Sequence, residues 1–172
     1  MTDALDRAQF HARKWLDNLA DCPAGATATP ASLRAALGGP LPETGRDGAA
    51  IIDDLAAGAT PGLNANASGR FFAWVMSGAL PSAIAADWLV SAWDQNAGMY
   101  TVAPAAAIIE EIAGNWLKDL FGLPAETSFA FTTGCQLAHV VALAAARHAV
   151  LARAGWDVEE QGLSGAPPIR VL

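Results

Sequence analysis

Apolar residues in the first sixty positions recur in short, helix-spaced sets separated by breakers. Leu5, Ala8, Ala12, Trp15, Leu16 and Leu19 lie three or four apart on one face, which predicts an amphipathic helix closed by Cys22-Pro23-Ala24-Gly25. Thr29-Pro30-Ala31-Ser32 offers a cap residue followed by proline at the first helical position, so a second helix should run from there to Gly38-Gly39-Pro40. Ile51, Ile52 and Leu55 mark a third, stopped by Gly58 and Pro61. Three small helices tied by loops have little core of their own. Such an arm packs on something else.

Beyond residue 62 the pattern changes. Leu63 to Gly69 is a polar loop with Asn64 and Asn66, and Phe71-Phe72-Ala73-Trp74-Val75-Met76 reads as an extended aromatic segment. Pro81 opens a helix through Ile84, Trp88, Leu89 and Trp93 that ends in the polar break Asp94-Gln95-Asn96-Ala97-Gly98. Pro104 opens another, with Ile108, Ile109, Ile112, Trp116, Leu117 and Leu120 along one stripe. Glu110 and Glu111 toward its start and Lys118 near its end suit the helix dipole. After Gly122-Leu123-Pro124 comes a strand-like run, Ser128 to Phe131, then a small-residue turn, then an apolar helix from Val140 to Arg153. A loop from Gly155 to Pro168 leads to Ile169-Arg170-Val171-Leu172, the expected start of a second strand. Strand, helix and strand make one crossover of a parallel sheet, so the predicted class is α/β, mostly helical in this stretch. One crossover cannot form a sheet buried on both faces, so the chain is expected to be a piece of something larger.

Composition sharpens that expectation. Hydrophobic residues make up 53% and charged residues 16%, with mean hydropathy +0.28, which is rich in apolar residues for a domain of 172 residues. Much of its surface should therefore be covered by further protein. A net charge of −7 and scattered basic residues exclude a nucleic-acid surface. No run approaches a transmembrane helix free of polar breaks, so no membrane partner is expected, and the mixed-charge N-terminus is not a secretory signal. Cys22 and Cys135 fall in unrelated contexts and give no disulfide framework, which suits a reducing, cytoplasmic setting.

The most informative stretch is Thr132-Thr133-Gly134-Cys135-Gln136-Leu137-Ala138-His139. A small-residue turn feeding a helix N-terminus presents amide N–H groups without intrahelical partners, and the dipole adds partial positive charge. A phosphate is the natural occupant, although a plain strand-to-helix connection would look the same in isolation. Cys135 and His139 have a spacing that can place two metal ligands on one face, but two ligands do not close a site, and a structural role is favoured. Asp53-Asp54 and Glu110-Glu111 are adjacent and point apart, reading as solvated faces and dipole partners. His11 and His148 read as surface or packing residues. Trp88, Trp93 and Trp116 read as core or subunit-interface residues.

Taken in order, Arg70-Phe71-Phe72-Ala73-Trp74, Asp94-Gln95-Asn96, Ala103-Pro104-Ala105-Ala106, Trp116-Leu117 with Gly122-Leu123-Pro124, and Thr132-Thr133-Gly134 with Ala138 resemble the front part of the pyridoxal-phosphate-dependent group II amino-acid decarboxylases. The resemblance implies an N-terminal helical arm over residues 1–62. It also implies that residues 63–172 are the first part of the large domain of a fold-type I, aminotransferase-like enzyme. It implies pyridoxal 5'-phosphate as cofactor, with Gly134, Cys135 and Gln136 at the phosphate positions; Cys135 and Gln136 stand where relatives carry smaller or hydroxyl residues. Trp74 and Ser77 match the substrate-pocket wall, and Asn96 lies in a loop that reaches the partner subunit's active site. Asn96 and Gly98 replace the large apolar side chains found there in aromatic decarboxylases, which disfavours an apolar pocket. The implied parent is a homodimeric carboxy-lyase acting on an L-amino acid. The family's cofactor-holding lysine, the aspartate for the ring nitrogen and the ring-stacking histidine all lie further along than this chain extends, so the chain alone is expected to be inactive. Two alternatives stay open: another fold-type I reaction, such as a lyase or aminotransferase, and a non-catalytic dimerising remnant. A nucleotide-binding domain is weaker, since the turn has neither G-x-G-x-x-G spacing nor a P-loop lysine.

Overall fold

A computed structural model describes residues 2–76 and 78–171. The chain divides into two compact units, Met1–Ala92 and Trp93–Leu172.

In the first unit, α1 (Thr2–Asp17) and α2 (Pro30–Leu37) both pack against α3 (Gly48–Ala59), which passes into a single 3-10 turn at Thr60–Gly62. The start of α2 follows the sequence reading. Thr29 Oγ1 accepts from the Ser32 amide at 3.1 Å, and Ser32 Oγ accepts from the Thr29 amide at 3.0 Å, a reciprocal cap ahead of Pro30. Helix α3 ends between Gly58 and Pro61, as the sequence suggests. Gly58 itself lies inside the helix, where a Cβ would stand 2.8 Å from Leu37 Cδ2, so the missing side chain lets α2 close on α3.

The two aspartates of α3 diverge, as adjacent helical residues must, but they are not simply solvated. Asp53 Oδ1 accepts from Arg7 Nε at 2.7 Å and lies 2.6 Å from His11 Nε2, both on α1. Asp54 pairs instead with Arg46. The hydrogen bond from His11, then that from Arg7, hold the Asp53 carboxyl below the ordinary aspartate range. The loop after α1 is sewn to the one after α3: Thr27 and Ala28 donate to Pro61 O, Ala65 to Ala24 O, and Ala26 to Asn64 Oδ1 at 3.0 Å. Ala65 and Ser68 are buried beneath this seam. Helix α4 (Pro81–Trp93) runs to the end of the unit, with Trp88 exposed.

The second unit holds α5 (Pro104–Leu120), α6 (Cys135–Arg153) and α7 (Val158–Gln161). Helix α6 begins at Cys135 rather than Val140, so the small-residue turn feeds it directly. At its far end Trp156 N donates to Leu151 O and Gly155 N to Ala152 O, a left-handed exit through Gly155. This exit folds α7 back so that Leu151 and Val158 are buried. Helix α7 falls within the expected loop; its amides at Glu159 and Glu160 are capped by the Asp157 carboxylate.

Two strand expectations are corrected. Residues 128–131 and 169–171 are irregular, and among the described residues there is no strand; Leu172 lies outside them. An extended run becomes a strand only when a neighbour accepts its ladder, and none does so among the described residues. Side chains hold 128–131 instead: the Phe129 ring covers buried Gly114 of α5. Among the described residues, one helix approaches membrane length. At 19 residues α6 is long and apolar enough to cross a membrane by length and composition alone. Gln136, His139, Arg147 and His148 interrupt it, however.

Apolar surface is abundant. The accessible area is 13620 Å², where a folded monomer of this 17.7 kDa mass would expose about 8,000 Å². Ile109, Trp116 and Leu120 of α5, and Val140 and Leu143 of α6, are among the exposed residues. The tryptophans on the stripes of α4 and α5 are therefore not core residues within this chain.

Candidate cofactor-phosphate turn

The turn is built by three local features. The chain comes off Phe131, Gly134 N donates to Thr132 O at 2.9 Å, and Thr132 Oγ1 donates to Gly134 O at 3.3 Å. Gly134 then takes φ +83° and ψ 168°, a region open only to glycine, and so aims the first turn of α6 outward. No side chain caps that turn. Cys135, Gln136 and Leu137 occupy its first three positions, where helical geometry supplies no acceptor for their amides.

The glycine is uncrowded: beyond its chain neighbours, no atom of the described residues lies within 4 Å of where a Cβ on Gly134 would stand. Gly134, Cys135 and Gln136 are all exposed. Free amides, the positive end of a helix dipole and an unobstructed approach fit an anionic phosphate. Cys135 Sγ lies 3.6 Å from His139 Nε2, one turn along α6. Among the described residues no group of three metal-ligating side chains assembles, so this pair remains two potential ligands and no more.

Asn96, in the same unit as the turn, is exposed and accepts from the Gly98 amide at 3.1 Å through Oδ1, an Asx turn that bends its loop. Trp74 belongs to the first unit and is exposed. Its segment is not extended as its sequence suggests, because Trp74 and Val75 are consecutive left-handed residues at φ +55° and +54°. For a β-branched valine that is a strained conformation. Trp74 keeps a tilted ring contact with Phe71, centroids 6.2 Å apart. Ser77 lies outside the described residues. The turn thus unites Gly134, Cys135 and Gln136. Thr132, whose hydroxyl braces it, belongs to the stretch singled out in the sequence but carries a role that the sequence does not assign.

The pyridoxal-dependent decarboxylase conserved domain matches residues 30–163, from the start of α2 through α7, and the chain belongs to that family. It is 34% identical over 119 residues to tryptophan decarboxylase 1 of Oryza sativa subsp. japonica, an alignment taking 62% of this chain and 23% of the rice protein. It is also similar to the crystal structure of Oryza sativa TDC with PLP and tryptamine, with a TM-score of 0.76 and 26% identity. That match covers 89% of this chain and 34% of the rice one. The chain therefore spans about a third or less of the length of these relatives. Its mostly helical architecture is that of the matching part of such an enzyme.

Proposed function

We propose that the protein carrying this chain is a pyridoxal-phosphate-dependent L-amino-acid decarboxylase, and that Gly134, Cys135 and Gln136 cradle the cofactor phosphate. The observation that carries the reading is the family match across the turn and the helix behind it. In this chain the amides at the start of α6 bind the anion, Gly134 keeps their approach clear, and the Gln136 carboxamide offers a further donor where relatives have a short hydroxyl. When bound, the cofactor supplies an electron sink for the pair left behind as carbon dioxide departs. Trp74, Ser77 and Asn96 are assigned to the substrate pocket. A homodimeric assembly is supported by the exposed apolar residues of α4 and α5, and a cytoplasmic setting by the free cysteines Cys22 and Cys135.

The test is carbon dioxide release from a panel of L-amino acids, tryptophan included, by the full-length protein with and without added pyridoxal phosphate. Cofactor-dependent release of carbon dioxide with the matching amine is expected. A cofactor-loaded protein that instead transfers the amino group, or that releases no carbon dioxide from any member of the panel, overturns the reading.

A further inference from the structure

We propose that Gly114 and Phe129 form a positioning pair for the phosphate turn: the ring seats on the bare backbone of α5 and so sets the direction in which the chain enters Gly134. The inference rests on the turn being the phosphate site. Gly114 is buried mid-helix, where glycine is a poor choice for helix stability. Its use is steric. A Cβ at that position would overlap Cζ, Cε1 and Cε2 of Phe129.

The neighbouring contacts converge on the same segment. One turn further along α5, Lys118 Nζ donates to Ala125 O at 2.8 Å and stands 5.8 Å from the Phe129 ring centroid. Phe131 packs on Phe129 with centroids 5.7 Å apart. The second ring thus buttresses the first. With no ladder on 128–131 among the described residues, α5 fixes this lead-in through side chains. Gly134 lies five positions after Phe129, a reach of at most about 18 Å. The last part of this short lead-in is itself tied to the turn by the Thr132–Gly134 hydrogen bonds, so a displacement of the ring is passed on to the amides of Cys135 and Gln136, and hydrogen bonds to an anion tolerate only small errors in distance and angle.

The experiment compares the affinities of pyridoxal 5'-phosphate and of pyridoxal, which lacks the phosphate, for the full-length protein and its Gly114→Ala, Phe129→Leu and Gly114→Ala/Phe129→Leu variants. Gly114→Ala is expected to weaken pyridoxal phosphate roughly tenfold with little change for pyridoxal, because overpacking displaces the ring and the phosphate amides with it. The double variant should recover part of that loss, since the smaller side chain makes room for the methyl. If Gly114→Ala fails to fold, Phe129→Leu alone decides, and its phosphate preference should still fall. An unchanged phosphate-to-pyridoxal ratio in every folded variant overturns the pair. A wild-type protein that binds both compounds equally overturns the phosphate reading itself, which is a separate result.

Discussion

His11 of α1 reaches Asp53 of α3 with 2.6 Å between Nε2 and Oδ1, and the same oxygen accepts from Arg7 Nε one turn earlier on α1. One carboxylate thus gathers two donors from one helix face and docks the N-terminal helix. Asp53→Ala is expected to free α1, with limited proteolysis between α1 and α2 roughly threefold faster, the scale of a partly exposed pair. Cleavage at the wild-type rate would show that apolar contacts alone hold the helix.

The same carboxylate sets a pH dependence. Because Asp53 titrates below its ordinary value of about 3.8, the undocked arm binds more protons than the docked one between the two values. Docking is therefore strengthened fully above the ordinary value and weakens as pH falls through the lower, folded one. Measured below pH ~5, the protection difference between wild type and Asp53→Asn should shrink toward zero with acidification. A difference that stays constant to the acid limit would contradict the assignment.

Thr29 offers a separate test of local design. Its hydroxyl and that of Ser32 satisfy two amides at the start of α2, so Thr29→Ala should destabilise that helix by about 1 kcal/mol. Hydrogen exchange in α2 should accelerate while α5 and α6 remain unchanged. Equal acceleration everywhere would mean that the cap supports the whole protein rather than one helix.

Much of this was legible in the sequence because it is local. Pro30, Pro81 and Pro104 each mark a helix start, and the Thr29 cap is written in four residues. The phosphate turn was visible as small residues ahead of an apolar helix, and only the company of distant blocks gave it a tenant. What stayed hidden depends on residues far apart in the chain. Nothing near Asp53 announces Arg7 and His11, 46 and 42 positions away. Nothing near Gly114 announces Phe129. The strands failed for a related reason: extended propensity at 128–131 is real, but pairing is a property of two segments. Trp74 and Val75 failed differently, since aromatic and β-branched residues favour the extended backbone they do not adopt here.

Gly134 gives the sharpest test at the turn. At φ +83° and ψ 168° it sits where side-chain-bearing residues are rarely found, yet nothing crowds it. A substitution there costs through backbone strain alone, of the order of 1–3 kcal/mol. Gly134→Ala in the full-length protein should therefore either keep the backbone angle at that cost or relax and swing the first turn of α6 away. Both outcomes lower pyridoxal phosphate affinity, the first through a less stable fold and the second through misaligned amides. Denaturant titration separates them: strain lowers the unfolding midpoint, whereas relaxation leaves it near wild type while the phosphorus resonance of the bound cofactor shifts. Wild-type affinity together with a wild-type midpoint would show that the left-handed glycine is dispensable and that the anion is held elsewhere.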